Sequence, residues 1–179
     1  MVGPTAVASP QETTLAGDLQ SPDAPTPVLD GSGLRVAVLA ARFNSAITLR
    51  LLDGVRRGLA DLGVDHANIT EAWVPGAFEL PLAAKTYAES GRVDAVVCLG
   101  CVIRGETTHY ESVAGESAAG ILRAGLATGV PIVFGVLTTE DSEQAYARSQ
   151  GPGGHNVGEE GAAVAVEMAT LIRNVRPAG

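Results

Sequence analysis

The 179-residue sequence predicts an α/β fold in which a four-stranded parallel sheet carries helices on both faces. Two observations support this. Strand-like and helix-like segments alternate four times with short connections, the pattern of parallel strands joined by crossover helices. The first strand segment, LRVAVLAA (34–41), is a continuous apolar run, as expected for a strand covered on both faces.

The elements follow in order. Residues 1–30 are rich in Pro, Ser, Thr, Gly and Asp, the composition of a flexible arm, which leaves 31–179 as the folded domain. The end of the arm, PTPVLDGSG, has the option of pairing as an extra strand, in its own sheet or a neighbouring subunit's. Ser45 is expected to cap the first helix, with Ile47, Leu51, Leu52, Val55, Leu59 and Leu62 at helical spacing and Gly63 as its stop. NITEAWV (68–74) is the second strand and FELPLAAKTYAES (78–90) the second helix, ending at Gly91. VDAVVCLGCVI (93–103) and THYESVAGESAAGILRAGLATG (108–129) are the third pair, PIVFGVLT (131–138) and DSEQAYARSQ (141–150) the fourth. GPGGHNV breaks the chain before a long last helix, EEGAAVAVEMATLIRNV (159–175).

In open parallel sheets, ligands bind beyond the carboxyl ends of the strands. Here those ends are Arg42–Asn44, Val74–Glu79, Cys101–His109 and Phe134–Glu140. The third is the most informative. Gly105 permits a tight turn, and Glu106, Thr107 and Thr108 are expected to open a helix whose free N–H groups would hold an anion. His109 would stand beside that anion with a pKa suited to proton transfer. The plainer reading makes the threonines caps and His109 a solvated residue. Phe43 is a stacking platform for a planar ring, or packs under the first helix. Glu79 is an acceptor for a polyhydroxylated ligand, or is simply favoured by a helix dipole. Arg148 is a phosphate-binding guanidinium that needs another segment to complete the site, or a charge on the end of its helix. Together these residues point to an anionic, ring-bearing small molecule with His109 as proton donor or acceptor.

Composition narrows the field. Twelve Lys+Arg against twenty Asp+Glu give a net charge of −8, half of it on residues 1–33, which argues against nucleic-acid binding. Only Lys85 among the twelve is a lysine, and no glycine-rich loop precedes it, so a P-loop nucleotidase is excluded. No apolar run has membrane length, and MVGPTAVASP lacks the basic start of a secretory signal, so a cytoplasmic protein with no membrane partner is expected. Cys98 and Cys101 lie three apart in a strand, on opposite faces, and are expected to be structural thiols. His66 and His155 have no second ligand at metal-binding spacing, so no metal is expected.

At these loops the sequence resembles the lumazine synthase family, which catalyses the penultimate step of riboflavin biosynthesis. The matching stretches are A-R-F-N (41–44), W-V-P-G-A-F-E-L-P (73–81), G-C-V-I-R-G-E-T-T-H-Y-E (100–111), F-G-V-L-T-T-E (134–140), E-Q-A-Y-A-R (143–148) and N-V-G-E-E (156–160). They run in order over about 80 % of the chain. The resemblance implies a flavodoxin-like three-layer α/β/α sandwich that condenses 5-amino-6-(D-ribitylamino)uracil with 3,4-dihydroxy-2-butanone 4-phosphate, without metal or organic cofactor. It implies that Phe43 stacks on the uracil, that Ala77, Phe78 and Glu79 bind ring and ribityl chain, and that Cys101, Val102 and Ile103 contact the pyrimidine. Glu106 and Thr107 would offer backbone N–H groups to the phosphate, and His109 would transfer protons. Phe134 and Arg148 would come from a neighbouring subunit of a homopentamer, free or closed with eleven others into an icosahedral shell. Riboflavin synthase is a further partner that the resemblance suggests.

Two departures stand out. Asn156-Val157-Gly158 replaces the family's usual Asn-Lys-Gly, and the preceding loop SQGPGGH is about one residue longer than usual. A second reading of the same fold is a flavin- or lumazine-binding protein without turnover. His109, Arg148 and Glu160 favour the enzyme, because a pure binder needs no proton shuttle beside an anion pocket.

Overall fold

A computed structural model describes Pro25 and residues 27–175. The elements are β1 (Val36–Ala41), α1 (Ser45–Asp61), β2 (Ile69–Val74), α2 (Leu80–Glu89), β3 (Ala95–Ile103), α3 (His109–Thr128), β4 (Ile132–Thr139), α4 (Ser142–Ala147) and α5 (Val157–Val175). Single 3₁₀ turns at His66–Asn68 and Ala77–Glu79 lead into β2 and α2. The strands are all parallel in the order β2-β1-β3-β4, the flavodoxin-like arrangement expected.

The period-2 geometry of the central strands sorts the core into two layers. Val36 and Val38 of β1 face one way with Val97, Leu99 and Cys101 of β3, under Leu51, Leu52, Val55 and Leu59 of α1 and Ala162, Ala165 and Val166 of α5. Ala37, Leu39 and Ala41 face the other way with Val96 and Cys98, under Leu80 and Ala84 of α2 and Ile121 of α3. Each fully buried Leu or Val contributes about 1.5–3 kcal/mol, so these strands are held by their faces as much as by their ladders. Cys98 and Cys101 fall in opposite layers, as the strand reading requires.

Close helix approach depends on small residues. A β-carbon at Gly158 of α5 would lie 2.1 Å from the Leu51 carbonyl oxygen of α1, and one at Gly58 would lie 2.8 Å from the β-carbon of Ala162. Glycine there lets α1 and α5 meet backbone to backbone. Gly63 and Gly91 take positive φ at the ends of α1 and α2, where glycine stops were expected, and Gly129 does the same at the end of α3.

Several boundaries differ from the sequence expectation. The cap of α1 is Asn44 in the left-handed region (φ 59°), and Ser45 is already helical. Asparagine tolerates that region better than other non-glycine residues. The α2 helix starts at Leu80 because the turn Ala77–Glu79 precedes it. The α3 helix starts at His109, so Glu106, Thr107 and Thr108 belong to the loop ahead of it and do not form its first turn. The α5 helix starts at Val157, two residues early, because Asn156 accepts hydrogen bonds from Gly158 N (2.9 Å) and Glu159 N (3.3 Å). Residues 27–31 form no strand in this chain; Gly31 N–H donates to Leu62 O instead. Residues 1–24 and 26, where the rest of the flexible-arm expectation falls, lie outside the described residues, as do 176–179.

Candidate active site

The chain leaves β1 toward β2 on one side and returns to β3 on the other, so a crevice opens at the carboxyl ends of β1 and β3. A cleft of about 620 Å³ lies there. Phe43 lines it from the loop after β1, Pro75–Glu79 from the loop after β2, and Cys101–Ile103, Gly105 and Thr107 from the end of β3. His109, Tyr110, Ser112 and Val113 close it from the start of α3. Ten of the twelve residues predicted to bind or react are thus accounted for by one cleft and its rim. Glu106 is the rim residue, exposed in the same loop but not lining the cleft.

Phe43 is held by its backbone and not by its ring. Arg42 N–H donates to Val74 O (2.9 Å), Phe43 N–H to Pro75 O (3.1 Å), and the Asn44 side-chain amide to Cys101 O (2.8 Å). The loop is tied to both neighbouring strand ends while the phenyl ring stays 73 % exposed. That resolves the choice left by the sequence: the ring does not pack under α1. Asn44 was missed as a site-building residue, although its type is the one signal available for a left-handed position. Glu79 is exposed and folds back, so that a β-carbon at Gly76 would lie 3.2 Å from its Oε2.

The loop from Arg104 to Thr108 is open to an anion. The N–H groups of Gly105, Glu106 and Thr107 donate to no acceptor among the described residues. Thr108 makes no capping hydrogen bond, and Thr107 Oγ1 accepts only weakly from His109 N (3.4 Å). Successive unclaimed amides of this kind favour negative charge. The His109 ring is exposed and pairs with no described group.

Arg104 anchors this loop. Its N–H extends the ladder to Thr139 O (2.9 Å), and its Nε donates to Glu140 Oε2 (2.6 Å). Its Nη1 pairs with Glu111, and its guanidinium carbon sits 4.2 Å from the Tyr110 ring centroid. The Arg104 hydrogen bond holds the Glu111 carboxyl below the usual carboxylate range.

Both cysteines are free and buried. Burial pushes the Cys98 thiol up to about 12 and the Cys101 thiol up to about 11, so neither is a nucleophile at neutral pH.

Phe134 and Arg148 lie away from the cleft of their own chain. Phe134 is partly exposed on β4, level with Cys98. Arg148 ends α4, where its Nη1 donates to Gln144 O (3.1 Å) and no described carboxylate pairs with it. The Val157 N–H donates to Arg148 O (3.0 Å), so the residue in place of the usual lysine is next to Arg148, with its side chain against the α1/α5 core. His155 pairs through Nε2 with Glu160 Oε1 (3.0 Å). A second cavity of about 620 Å³ opens at the opposite end of the sheet, lined by Arg35, Asp94 and Arg173 among others. Arg35 and Asp94 are already spent on each other there (2.8 Å), and it offers no proton-transfer group.

Comparison with known proteins bears on this geometry. The sequence pattern of the 6,7-dimethyl-8-ribityllumazine synthase family matches residues 33–173. Two proteins named 6,7-dimethyl-8-ribityllumazine synthase, from two strains of Thermus thermophilus, are each 49 % identical to it over 150 residues. Those alignments cover 84 % of this chain and 95 % of each relative. The family match runs from before β1 to residue 173 within α5 and so takes in all four strands and the loops at their carboxyl edge, and on the strength of both comparisons the chain belongs to the 6,7-dimethyl-8-ribityllumazine synthase family.

Proposed function

We propose that the chain is a transferase that condenses 5-amino-6-(D-ribitylamino)uracil with 3,4-dihydroxy-2-butanone 4-phosphate, giving 6,7-dimethyl-8-ribityllumazine, phosphate and water. The observation that carries the residue assignment is the union, in one cleft, of an exposed Phe43 face, a row of unclaimed amides and His109. The uracil stacks on Phe43, with Ala77, Phe78 and Glu79 along its ribityl chain and Cys101, Val102 and Ile103 at its edge. The phosphate rests on the amides of Glu106 and Thr107.

The 5-amine attacks the ketone carbonyl of the second substrate, and the first water is lost as the imine forms. Phosphate leaves by elimination, and the ribitylamino nitrogen closes the ring on the carbonyl so formed with loss of a second water. Holding two substrates in one cleft supplies most of the acceleration, because a bimolecular encounter becomes an intramolecular one. His109 relays protons to the departing water and phosphate, a contribution of about 10²–10⁴-fold.

Among the described residues that line the cleft of one copy there is no Lys or Arg. A dianionic phosphate needs a cation, and Arg148 is free of carboxylates but points elsewhere within its own chain. This supports a homo-oligomer, a pentamer at least, in which Phe134 and Arg148 of one subunit complete the cleft of the next. Exposed Leu82, Leu122 and Leu126 on α2 and α3 supply an apolar face for that contact.

Mixing the two substrates and following lumazine absorbance tests the reaction. Product with the parent chain and a fall of about 10²-fold or more in kcat for His109→Ala, with uracil binding retained, are expected. Unchanged turnover in that variant rules out the His109 role, and no product from the parent at high butanone phosphate leaves a binding protein. Shared sites have their own test. Mixing His109→Ala with Arg148→Ala subunits at equal ratio restores about a quarter of the sites, since half the clefts keep His109 and half of those meet an intact Arg148. No recovery after reassembly excludes the shared site.

A further inference from the structure

We infer that Arg104 is a positioning residue for this reaction, a group that locks the anion loop and the start of α3, and with them His109, to the end of the sheet. The inference rests on the reading of His109 and the loop amides just given.

Its basis is the set of partners that one side chain joins. Arg104 follows the last residue of β3, Glu140 follows the last residue of β4, and Tyr110 and Glu111 are the second and third residues of α3. The guanidinium reaches all three through its Nε, its Nη1 and its face. Among the described residues the only other side-chain hydrogen bond within this segment is the weak one at Thr107. Thr108 leaves α3 uncapped, the Thr107 bond is long at 3.4 Å, and the His109 ring has no partner among the described residues. The direction of the imidazole is therefore set by the first turn of α3, and that turn is fixed through Tyr110 and Glu111. Arginine suits the task because its planar fork binds two carboxylates at fixed angles while its face stacks on a ring, which a lysine ammonium does not reproduce.

The same contacts have an electrostatic consequence. Glu111 and Glu140 flank a loop that must receive an anion, and Arg104 is the cation that pairs with both. Removing it leaves two unpaired carboxylates near the incoming phosphate. Among the described residues no hydrogen bond or ion pair joins Arg104 to Phe43 or to the loop after β2, which build the uracil side of the cleft.

The experiment compares the parent with Arg104→Met and Arg104→Lys in steady-state kinetics, together with amide hydrogen exchange over residues 104–111. For Arg104→Met, kcat falls about 10–100-fold, the effect of a displacement near 1 Å at a reacting group. KM rises for the phosphorylated substrate but stays within about twofold for the uracil. Exchange over 104–111 speeds up while the rest of the chain is unchanged. Arg104→Lys retains one ion pair and falls between, and it carries the test alone if the methionine variant does not fold. Kinetics within about twofold of the parent for both variants, or a uracil KM that rises as much as the phosphate KM, overturns the inference while the enzyme reading stands. A parent chain that forms no product overturns the enzyme reading, and this inference with it.

Discussion

Replacing Asn156 with alanine tests how the loop that carries Arg148 is held. Asn156 is 2 % exposed and uses its whole amide. Its Nδ2 donates to Arg50 O (3.1 Å) and Gln150 O (2.7 Å), and its Oδ1 accepts from Gly158 N (2.9 Å) and Glu159 N (3.3 Å). The two accepted bonds are an N-cap on α5, whose loss costs about 1 kcal/mol. The two donated bonds join α1 to residue 150 and are worth about 1 kcal/mol each, more where the carbonyl is left without a donor. A side chain that also fills the space over Gly54 leaves a hole when truncated, so the expected destabilisation is about 3 kcal/mol. Asn156→Ser keeps a capping oxygen and recovers about 1 kcal/mol of that.

Urea unfolding followed by circular dichroism measures the difference, at one protomer concentration because an oligomer's stability depends on it. A readout on the site accompanies the stability loss. Arg148 and Val157 are backbone neighbours across the hairpin that Asn156 closes, so KM for the phosphorylated substrate rises while that for the uracil does not. A loss of less than about 0.5 kcal/mol in the alanine variant, the size of an ordinary surface change, refutes the reasoning.

Three other outcomes follow from the same structure. Phe43→Ala weakens binding of the ribitylaminouracil by about 0.5–1.5 kcal/mol, roughly 2- to 12-fold, read by fluorescence titration; unchanged affinity refutes stacking. Val157→Lys places a cation beside Arg148 and lowers KM for the butanone phosphate several-fold, whereas an unchanged KM means that Arg148 and the loop amides already suffice. Stability falls with acid through Glu71 and Asp94. The Arg56 hydrogen bond lowers the Glu71 carboxyl; at Asp94 burial pushes upward, but the hydrogen bonds and charge of Arg35 outweigh it and hold the carboxyl low. A carboxyl lowered in the folded state stabilises fully above its unfolded pKa and loses that contribution as pH falls through the folded one. The decline therefore sets in below about pH 4, and Glu71→Gln with Asp94→Asn flattens it. An acid limb identical in the double variant contradicts this.

What was legible in the sequence shares a physical origin, and so does what was not. The alternation of strands and helices, the opposite faces of Cys98 and Cys101 and the glycine stops at 63 and 91 are written in local periodicity and backbone preference, which act over a few residues. The strand ends then placed Phe43, Ala77–Glu79, Cys101–Ile103 and His109 at one edge, because a parallel sheet delivers its loops there. The groups that hold those residues still were not legible. Asn44 bonds a carbonyl 57 residues away, Arg104 a carboxylate 36 residues away, and Asn156 a carbonyl 106 residues away. No periodicity encodes such pairs. The start of α3 was misplaced for a related reason: Thr107 and Thr108 look like caps in sequence, but the loop that Arg104 anchors stays out of the helix until His109.

The scarcity of lysine bears on how catalysis and assembly are joined in this chain. Arg35, Arg56, Arg57, Lys85 and Arg104 are all committed to carboxylates, each on its own surface. Among the described residues the cleft is lined by no cation, and the position where the resemblance leads one to expect a lysine holds Val157, partly buried against the core. Under the proposed function an isolated copy stacks a ring and offers three amides but brings no cation of its own lining to a phosphate. Amides alone give direction without net charge. In the proposed shared site the balancing charge arrives on another copy, from Arg148 at the end of α4, which pairs with no carboxylate among the described residues. On this reading the enzyme's affinity for its phosphorylated substrate is a property of the interface. Loosening the assembly should therefore raise KM for the butanone phosphate before it touches the uracil site, which one subunit builds from Phe43 and its neighbouring loops.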